Sequence, residues 1–193
     1  MKVGVLALQG DFEAHEKALK RAGAGAVQVR TAEELESVDA LVIPGGESTT
    51  MLKLLEDEGL FDVLREFGAK KPIFGTCAGA ILLADEVHNP AQRSLGLMNL
   101  VVERNAYGRQ LDSRIVKVAP EAEFTRRAGD GELEAVFIRA PVIRSVGKGA
   151  RVLLRYNGDP VLVEQGRHLV ATFHPELTSD ARVHLLFVER LEG

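Results

Sequence analysis

Short apolar runs alternate with segments of helical spacing through the first half of the chain. Lys2 to Leu8 (KVGVLAL) is rich in valine and leucine, the composition of a strand buried on both faces. Phe12 to Ala22 (FEAHEKALKRA) changes period. There Phe12, His15 or Glu16, and Leu19 recur at three to four residues, and Gly23 and Gly25 end the helix this spacing predicts. Strands are expected at Val27 to Arg30 and at Ala40 to Ile43, the latter stopped by Pro44-Gly45-Gly46. Helices are expected over Ser48 to Leu55, with Ser48 or Thr49 as N-cap, and over Leu60 to Phe67. Pro72 to Phe74 is a fourth strand and Ala78 to Val87 a further helix. This βαβα rhythm implies a parallel sheet covered by helices on both faces.

The second half is strand-rich. Leu100 to Glu103, Ser113 to Val118, Ala135 to Ile138, Val142 to Val146, Ala150 to Tyr156, Pro160 to Gln165 and His168 to Phe173 all have strand or connection character. Asn157-Gly158 is a strong hairpin signal and Gln165-Gly166-Arg167 a weaker one. A helix over Asp180 to Leu191 closes the chain. With no repeat or linker-like stretch, residues 1–193 are expected to form one α/β domain with an added antiparallel portion. The charged segment Glu121 to Glu134 receives no function.

Composition narrows the class without naming it. Of 193 residues, 46% are hydrophobic and 27% charged, as in soluble globular proteins. A net charge of −4 argues against a general nucleic-acid binder. No apolar run approaches the length of a membrane span, and the N-terminal run lacks a signal-peptide cleavage site. The single cysteine forbids an intramolecular disulfide, and the cytoplasm is the expected compartment.

That cysteine lies in Gly75-Thr76-Cys77-Ala78-Gly79, a G-x-C-x-G pattern between a predicted strand and a predicted helix. This is the context of a nucleophile elbow, in which a sharp turn projects the reactive atom above the strand end. The glycines allow close backbone approach, the helix N-terminus favours a thiolate, and the Ala78 N–H can donate to an oxyanion. A lone cysteine is equally a small core residue, so the pattern calls for a base. Of the five histidines, His174 ends a predicted strand, as Cys77 does, and catalytic groups gather at strand carboxyl ends. His15 and His184 are expected to be solvated or partly packed helix residues. Glu176, across Pro175, is placed to orient the His174 ring. The Pro44-Gly45-Gly46-Glu47-Ser48 loop opens a helix at the same sheet edge and can turn peptide N–H groups toward an anion. Gln9, at that edge too, is a candidate support for this loop or for a partner interface.

PGGES, GTCAG and HPE, in that order, resemble the class I, triad-type glutamine amidotransferases. LALQGDFEAH, PGGESTTM, GTCAGAILLA, LVVERNAYGRQLDS, VFIRAP and FHPELT narrow the resemblance to the glutaminase subunits of pyridoxal 5′-phosphate synthase, across nearly the whole chain. Ala80 departs from the larger aliphatic residue common after the elbow. The resemblance implies a three-layer, flavodoxin-like α/β fold and hydrolysis of L-glutamine through a Cys77-His174-Glu176 triad and a thioester. It implies an oxyanion hole from Gly45, Gly46 and Ala78, and glutamine contacts from Gly46, Glu47, Ser48, Arg104, Ile138 and Arg139. An arginine can clamp the glutamine carboxylate while Glu47 holds its ammonium. It also implies a (β/α)8-barrel synthase partner whose docking orders the oxyanion loop, and the conformational freedom of its glycines makes the Gly45-Gly46 peptide the candidate switch. No cofactor, metal, nucleic acid or membrane is expected. The rival readings are a glutaminase of another pathway, a non-catalytic α/β binding module, and an elbow-cysteine hydrolase of other specificity.

Overall fold

A computed structural model describes residues 1–106 and 113–191. The distal part of the VERNAYGRQ motif, residues 107–110, lies outside the described residues. The chain runs β1 (Lys2–Leu6), α1 (Phe12–Arg21), β2 (Gly25–Val29), α2 (Ala32–Glu36), β3 (Ala40–Ile43), α3 (Ser48–Asp57), α4 (Leu60–Lys70), β4 (Ile73–Thr76), α5 (Ala78–Leu83) and β5 (Ala84–His88). It continues with β6 (Met98–Glu103), β7 (Ser113–Val118), α6 (Ala122–Ala128), β8 (Leu133–Ile138), β9 (Val142–Val146), β10 (Ala150–Tyr156), β11 (Asp159–Gln165) and β12 (His168–Ala171). A 3-10 turn at Pro175–Leu177 and α7 (Arg182–Glu189) complete it.

Seven strands form the central sheet in the order β10-β11-β12-β4-β3-β1-β2. The stretch from β12 to β2 is parallel, in the flavodoxin-like sequence, and β10-β11-β12 is antiparallel. The period of two along each strand splits the interior into two layers. Leu41 and Ile43 face Met51, Leu55 and Leu64 of α3 and α4, while Ala40 and Val42 face the other layer with Leu19 and Phe187 of α1 and α7. The continuous apolar runs seen in the sequence are these two-sided strands. Three further strands, β5-β6-β9, form a small mixed sheet, and β7-β8 form an antiparallel pair connected through α6. Asn157 and Gly158 both have positive φ (50° and 86°), as a two-residue hairpin turn of the favoured hand requires.

The structure departs from the sequence reading in four places. The helix expected through Val87 stops at Leu83, because Ala84–His88 instead pairs in parallel with β6. Sheet pairing outweighs the helical propensity of Ala-Asp-Glu. Two short helices lack a periodic stretch of their own. α2 is set by a capping box in which Thr31 and Glu34 satisfy each other's backbone N–H groups. α6 lies within the charged Glu121 to Glu134 segment, and Arg127 of that helix pairs with buried Glu164 of β11 at 2.8 Å. Finally, α3 is capped by Glu47, whose carboxylate accepts from the N–H groups of Thr49 and Thr50, so neither Ser48 nor Thr49 is the N-cap.

Candidate active site

The carboxyl ends of β1, β3, β4 and β12 meet at one edge of the sheet, and every candidate residue of the central site converges there. Cys77 occupies the tight turn from β4 into α5 with φ 50° and ψ −102°, a conformation that costs a non-glycine residue about 1–3 kcal/mol. Its N–H donates to the Ala171 carbonyl of β12 at 2.8 Å, fixing the elbow to the neighbouring strand. The flanking glycines are sterically required. A Cβ on Gly75 would lie 2.5 Å from the Gly79 backbone, and one on Gly79 would lie 2.3 Å from the Ile43 carbonyl oxygen.

His174 follows β12. Its N–H donates to the Val136 carbonyl of β8 at 2.8 Å, so the β7-β8 pair also positions it. Its ring Nδ1 lies 2.6 Å from Glu176 Oε1. Pro175 starts the 3-10 turn that brings the carboxylate back under the ring, and the Glu176 side chain is fully buried. Burial opposes a charge on His174, but hydrogen bonding to Cys77 and to Glu176 prevails and holds its pKa well above the ordinary range. With Nδ1 given to Glu176, Nε2 is the nitrogen left for the thiol.

A cavity of about 380 Å³ opens over Cys77 and His174. Gly45, Gly46, Glu47, Ser48, Arg104, Ile138 and Arg139 all line it, so every residue assigned to glutamine contact reaches one space. Ala78 lies beneath it as the first residue of α5, where the N–H has no intrahelical acceptor. A Cβ on Gly45 would be 2.4 Å from His174 Cε1 and 3.3 Å from Cys77 Cβ, so Gly45 is packed edge-on against both. Its carbonyl oxygen abuts Gly10, where a Cβ would lie 1.8 Å away. Gly46 has φ 149° and packs on the Gln9 amide, giving Gln9 the loop-supporting place expected of it. Arg104 Nη2 donates to Thr49 Oγ1 at 2.8 Å and lies 3.6 Å from Glu47 Oε1. Burial works against a charged Glu47, but the hydrogen bonds from Thr50 and Thr49 outweigh it and keep the carboxylate ionised below its usual range. Ser48 Oγ donates to Gln92 Oε1 at 3.0 Å.

The expectation that His15 and His184 are solvated or partly packed is overturned: both are completely buried. The α1 stripe that includes His15 also carries Ala18 and Leu19, and this stripe faces the sheet beneath α7. His15 Nδ1 is 3.0 Å from His184 Nε2, and His15 Nε2 is 3.0 Å from Thr76 Oγ1 and 3.4 Å from Glu176 Oε2. The sequence carried this signal in part, since His15 fell on the helical repeat with Leu19. What it lacked was the crossing of α1 over β4 and α7.

Burial, followed by the charges of His184 and His174, pushes His15 well below the usual imidazole range. Burial likewise takes His184 down to about 3 and His168 down to about 4. These rings stay neutral in the folded chain, whereas in the unfolded chain they take protons near pH 6.5. Stability is therefore lost as pH falls from that value toward the folded pKa values, by roughly 2 kcal/mol per ring between pH 7 and 5. His174 acts in the opposite sense: its contribution is complete below pH 6.5 and is lost as pH rises through its raised value. Urea unfolding at pH 5 is expected to give a stability several kcal/mol lower than at pH 7. Equal stabilities would show that the buried rings accept protons without unfolding.

An elbow cysteine, a carboxylate-oriented imidazole and a glycine-lined anion loop on a flavodoxin-like sheet define a class I glutamine amidotransferase-like site. The model of the SNO glutamine amidotransferase family matches residues 5–193, and the chain belongs to that family. Its activity is that of a glutaminase, an enzyme that hydrolyses glutamine. It is 65% identical over 98% of its length to a pyridoxal 5′-phosphate synthase subunit PdxT of Solibacter usitatus (strain Ellin6076), covering 99% of that protein. It is 56% identical over its whole length to the protein of the same name from Koribacter versatilis (strain Ellin345), covering 97% of it. A solved structure described as a glutamine amidotransferase superposes with a TM-score of 0.88 at 48% identity, covering 99% of both chains.

Proposed function

We propose that this chain is the glutaminase subunit of a pyridoxal 5′-phosphate synthase and that Cys77, His174 and Glu176 are its catalytic triad. The observation that supports it most is the 2.6 Å contact between His174 Nδ1 and Glu176, beside a cysteine held in a strained elbow over the same cavity. In this reading the Cys77 thiol gives its proton to His174, and the sulfur attacks the side-chain amide carbon of glutamine. The oxyanion is received by N–H groups of the Gly45-Gly46 loop and of Ala78. His174 returns the proton to the departing nitrogen, the C–N bond breaks, and ammonia leaves a γ-glutamyl thioester. His174 then deprotonates water, which attacks the thioester and releases glutamate and the thiol.

Arg104 binds the substrate carboxylate, exchanging its contact with Thr49 for a charge-assisted one. Glu47 accepts three hydrogen bonds, from Thr49 N, Thr50 N and Thr50 Oγ1, and a carboxylate has about four acceptor positions. One position therefore remains for the ammonium of glutamine. Gly46, Ser48, Ile138 and Arg139 complete the contacts. The partner is a (β/α)8-barrel synthase subunit that takes ammonia through a sheltered path and joins it to a pentose phosphate and a triose phosphate. Water would protonate free ammonia and end its use as a nucleophile. The unpaired Cys77 suits a reducing compartment, and we place the protein in the cytoplasm.

Docking acts on the Gly45-Gly46 peptide, whose carbonyl is wedged against Gly10 and whose Gly46 has positive φ. Glutamate release is therefore expected to be slow in the free chain and to rise at least about tenfold, or about 1.4 kcal/mol in barrier, with the synthase subunit present. Equal rates in the two states would refute docking control. No glutamate release in either state would refute the glutaminase assignment.

A further inference from the structure

Glu176 has a second face that the triad does not use. Its Oε1 is engaged by His174, but its Oε2, fully buried, has no hydrogen-bond partner of good geometry among the described residues. The nearest polar group is His15 Nε2 at 3.4 Å. A buried carboxylate oxygen without a donor is costly. His15 is the group placed to supply one, and three neighbours determine which of its nitrogens carries hydrogen.

Two arrangements of the neutral ring are possible in principle. With hydrogen on Nδ1, His15 would donate to His184 Nε2, and its Nε2 lone pair would confront the Glu176 carboxylate. With hydrogen on Nε2, His15 donates toward Glu176 Oε2 and Thr76 Oγ1, and accepts at Nδ1 from His184 Nε2–H, 3.0 Å away. Only the second sets a donor rather than a lone pair against the carboxylate, and it leaves just the His184 Nδ1 lone pair without a complement. His184 supports it, because its own Nδ1 is buried without a partner, as suits a bare nitrogen rather than an N–H. Among the described residues, Phe74 meets His15 edge-on at 6.2 Å between ring centres, His174 acts on His15 through its charge, and Arg21 acts in the same way on His184.

We propose that His15, held in its Nε2–H form by His184, is a positioning residue that keeps the Glu176 carboxylate aligned behind His174. The inference rests on the triad assignment above but not on the identity of the substrate. The chain Cys77-His174-Glu176-His15-His184 then links the elbow to α1 and α7, and Thr76, adjacent to the nucleophile, binds the same ring.

The single cysteine allows a direct test in the full chain without glutamine or partner. The rate of iodoacetamide alkylation is followed against pH, and its midpoint reports thiolate formation at Cys77 alone. Three variants are compared, each checked for folding by circular dichroism. His15→Leu removes both ring nitrogens, His15→Asn keeps an amide near the Nδ1 position only, and His15→Gln carries one as far as Nε2. Without a donor on Oε2, Glu176 loses its alignment and ceases to support the His174 imidazolium, so the thiolate forms at higher pH.

The Leu and Asn variants are expected to raise the midpoint by about one pH unit, a tenfold loss of thiolate below it, and Gln to restore it. If the Leu chain does not fold, the Asn–Gln contrast decides. An unchanged or lowered midpoint in Asn, or equal midpoints in Asn and Gln, overturns the proposal. A chain with the His15-dependent midpoint but no glutamate release would retain this inference and defeat the glutaminase reading instead.

Discussion

Cys77→Ala is expected to lower partner-stimulated glutamate release by about four to six orders of magnitude, because a nucleophile acting as one unit with its base leaves little behind when removed. The fold should remain. Alanine adopts the elbow conformation no better and no worse than cysteine, and the losses besides reactivity are the hydrogen bond with His174 and the weak Sγ contact with the Ile138 carbonyl at 3.9 Å. Urea unfolding of the variant should therefore lie within about 1 kcal/mol of wild type. Cys77→Gly tests the strain itself. With no Cβ, glycine relaxes the positive φ, and this variant should be more stable than Cys77→Ala by about 1 kcal/mol while equally inactive. A glycine variant no more stable than alanine would show that the elbow stores no strain. Residual activity above about one per cent would remove Cys77 from the role of nucleophile.

The second large effect belongs to a residue without a side chain. Gly45→Ala places a methyl 2.4 Å from His174 Cε1, closer than Cβ contacts occur, and 3.3 Å from Cys77 Cβ. The imidazole is fixed by Glu176 and its backbone by Val136, so it cannot yield without leaving the geometry it shares with the thiol. A displacement near 1 Å costs on the order of a hundredfold in rate. We expect kcat for glutamine to fall about a hundredfold or more, with stability changed far less than activity. Gly79→Ala supplies the contrast. There the added methyl meets the Ile43 carbonyl backbone at 2.3 Å, inside the core between α5 and β3, so that change should lower stability itself. If Gly45→Ala retained wild-type kcat, the close packing of the loop on His174 would have no catalytic consequence.

The elements most legible in the sequence were those whose signal is local. The apolar runs at Val3 to Leu6 and Ala40 to Ile43 were legible as two-sided strands through their short length, their valine and isoleucine content and the glycine or proline beside them, and every residue in them is buried. Asn157-Gly158 was legible because few other residue pairs accept two positive φ angles in succession. The G-x-C-x-G spacing was legible because the turn leaves no room for a Cβ on either side. His174 and Glu176 were legible through their place at a strand end and the short reach across Pro175.

What depended on contact between distant segments was not legible in the same way. Ala84–His88 is a strand only because Met98–Glu103 lies beside it, and its own residues favour a helix. Glu47 caps α3 while facing Arg104, a pairing that joins residues far apart in the chain. The sequence by itself determined the alternation of strands and helices, the elbow, and the candidates for thiol, base and carboxylate, because each follows from backbone sterics or from chemistry within a few residues. The tertiary structure alone decided that His15, from the first helix, and His184, from the last, meet behind Glu176. Their burial is a property of how α1 and α7 cross the sheet, and no local pattern of side chains encodes a distance across 169 residues of chain.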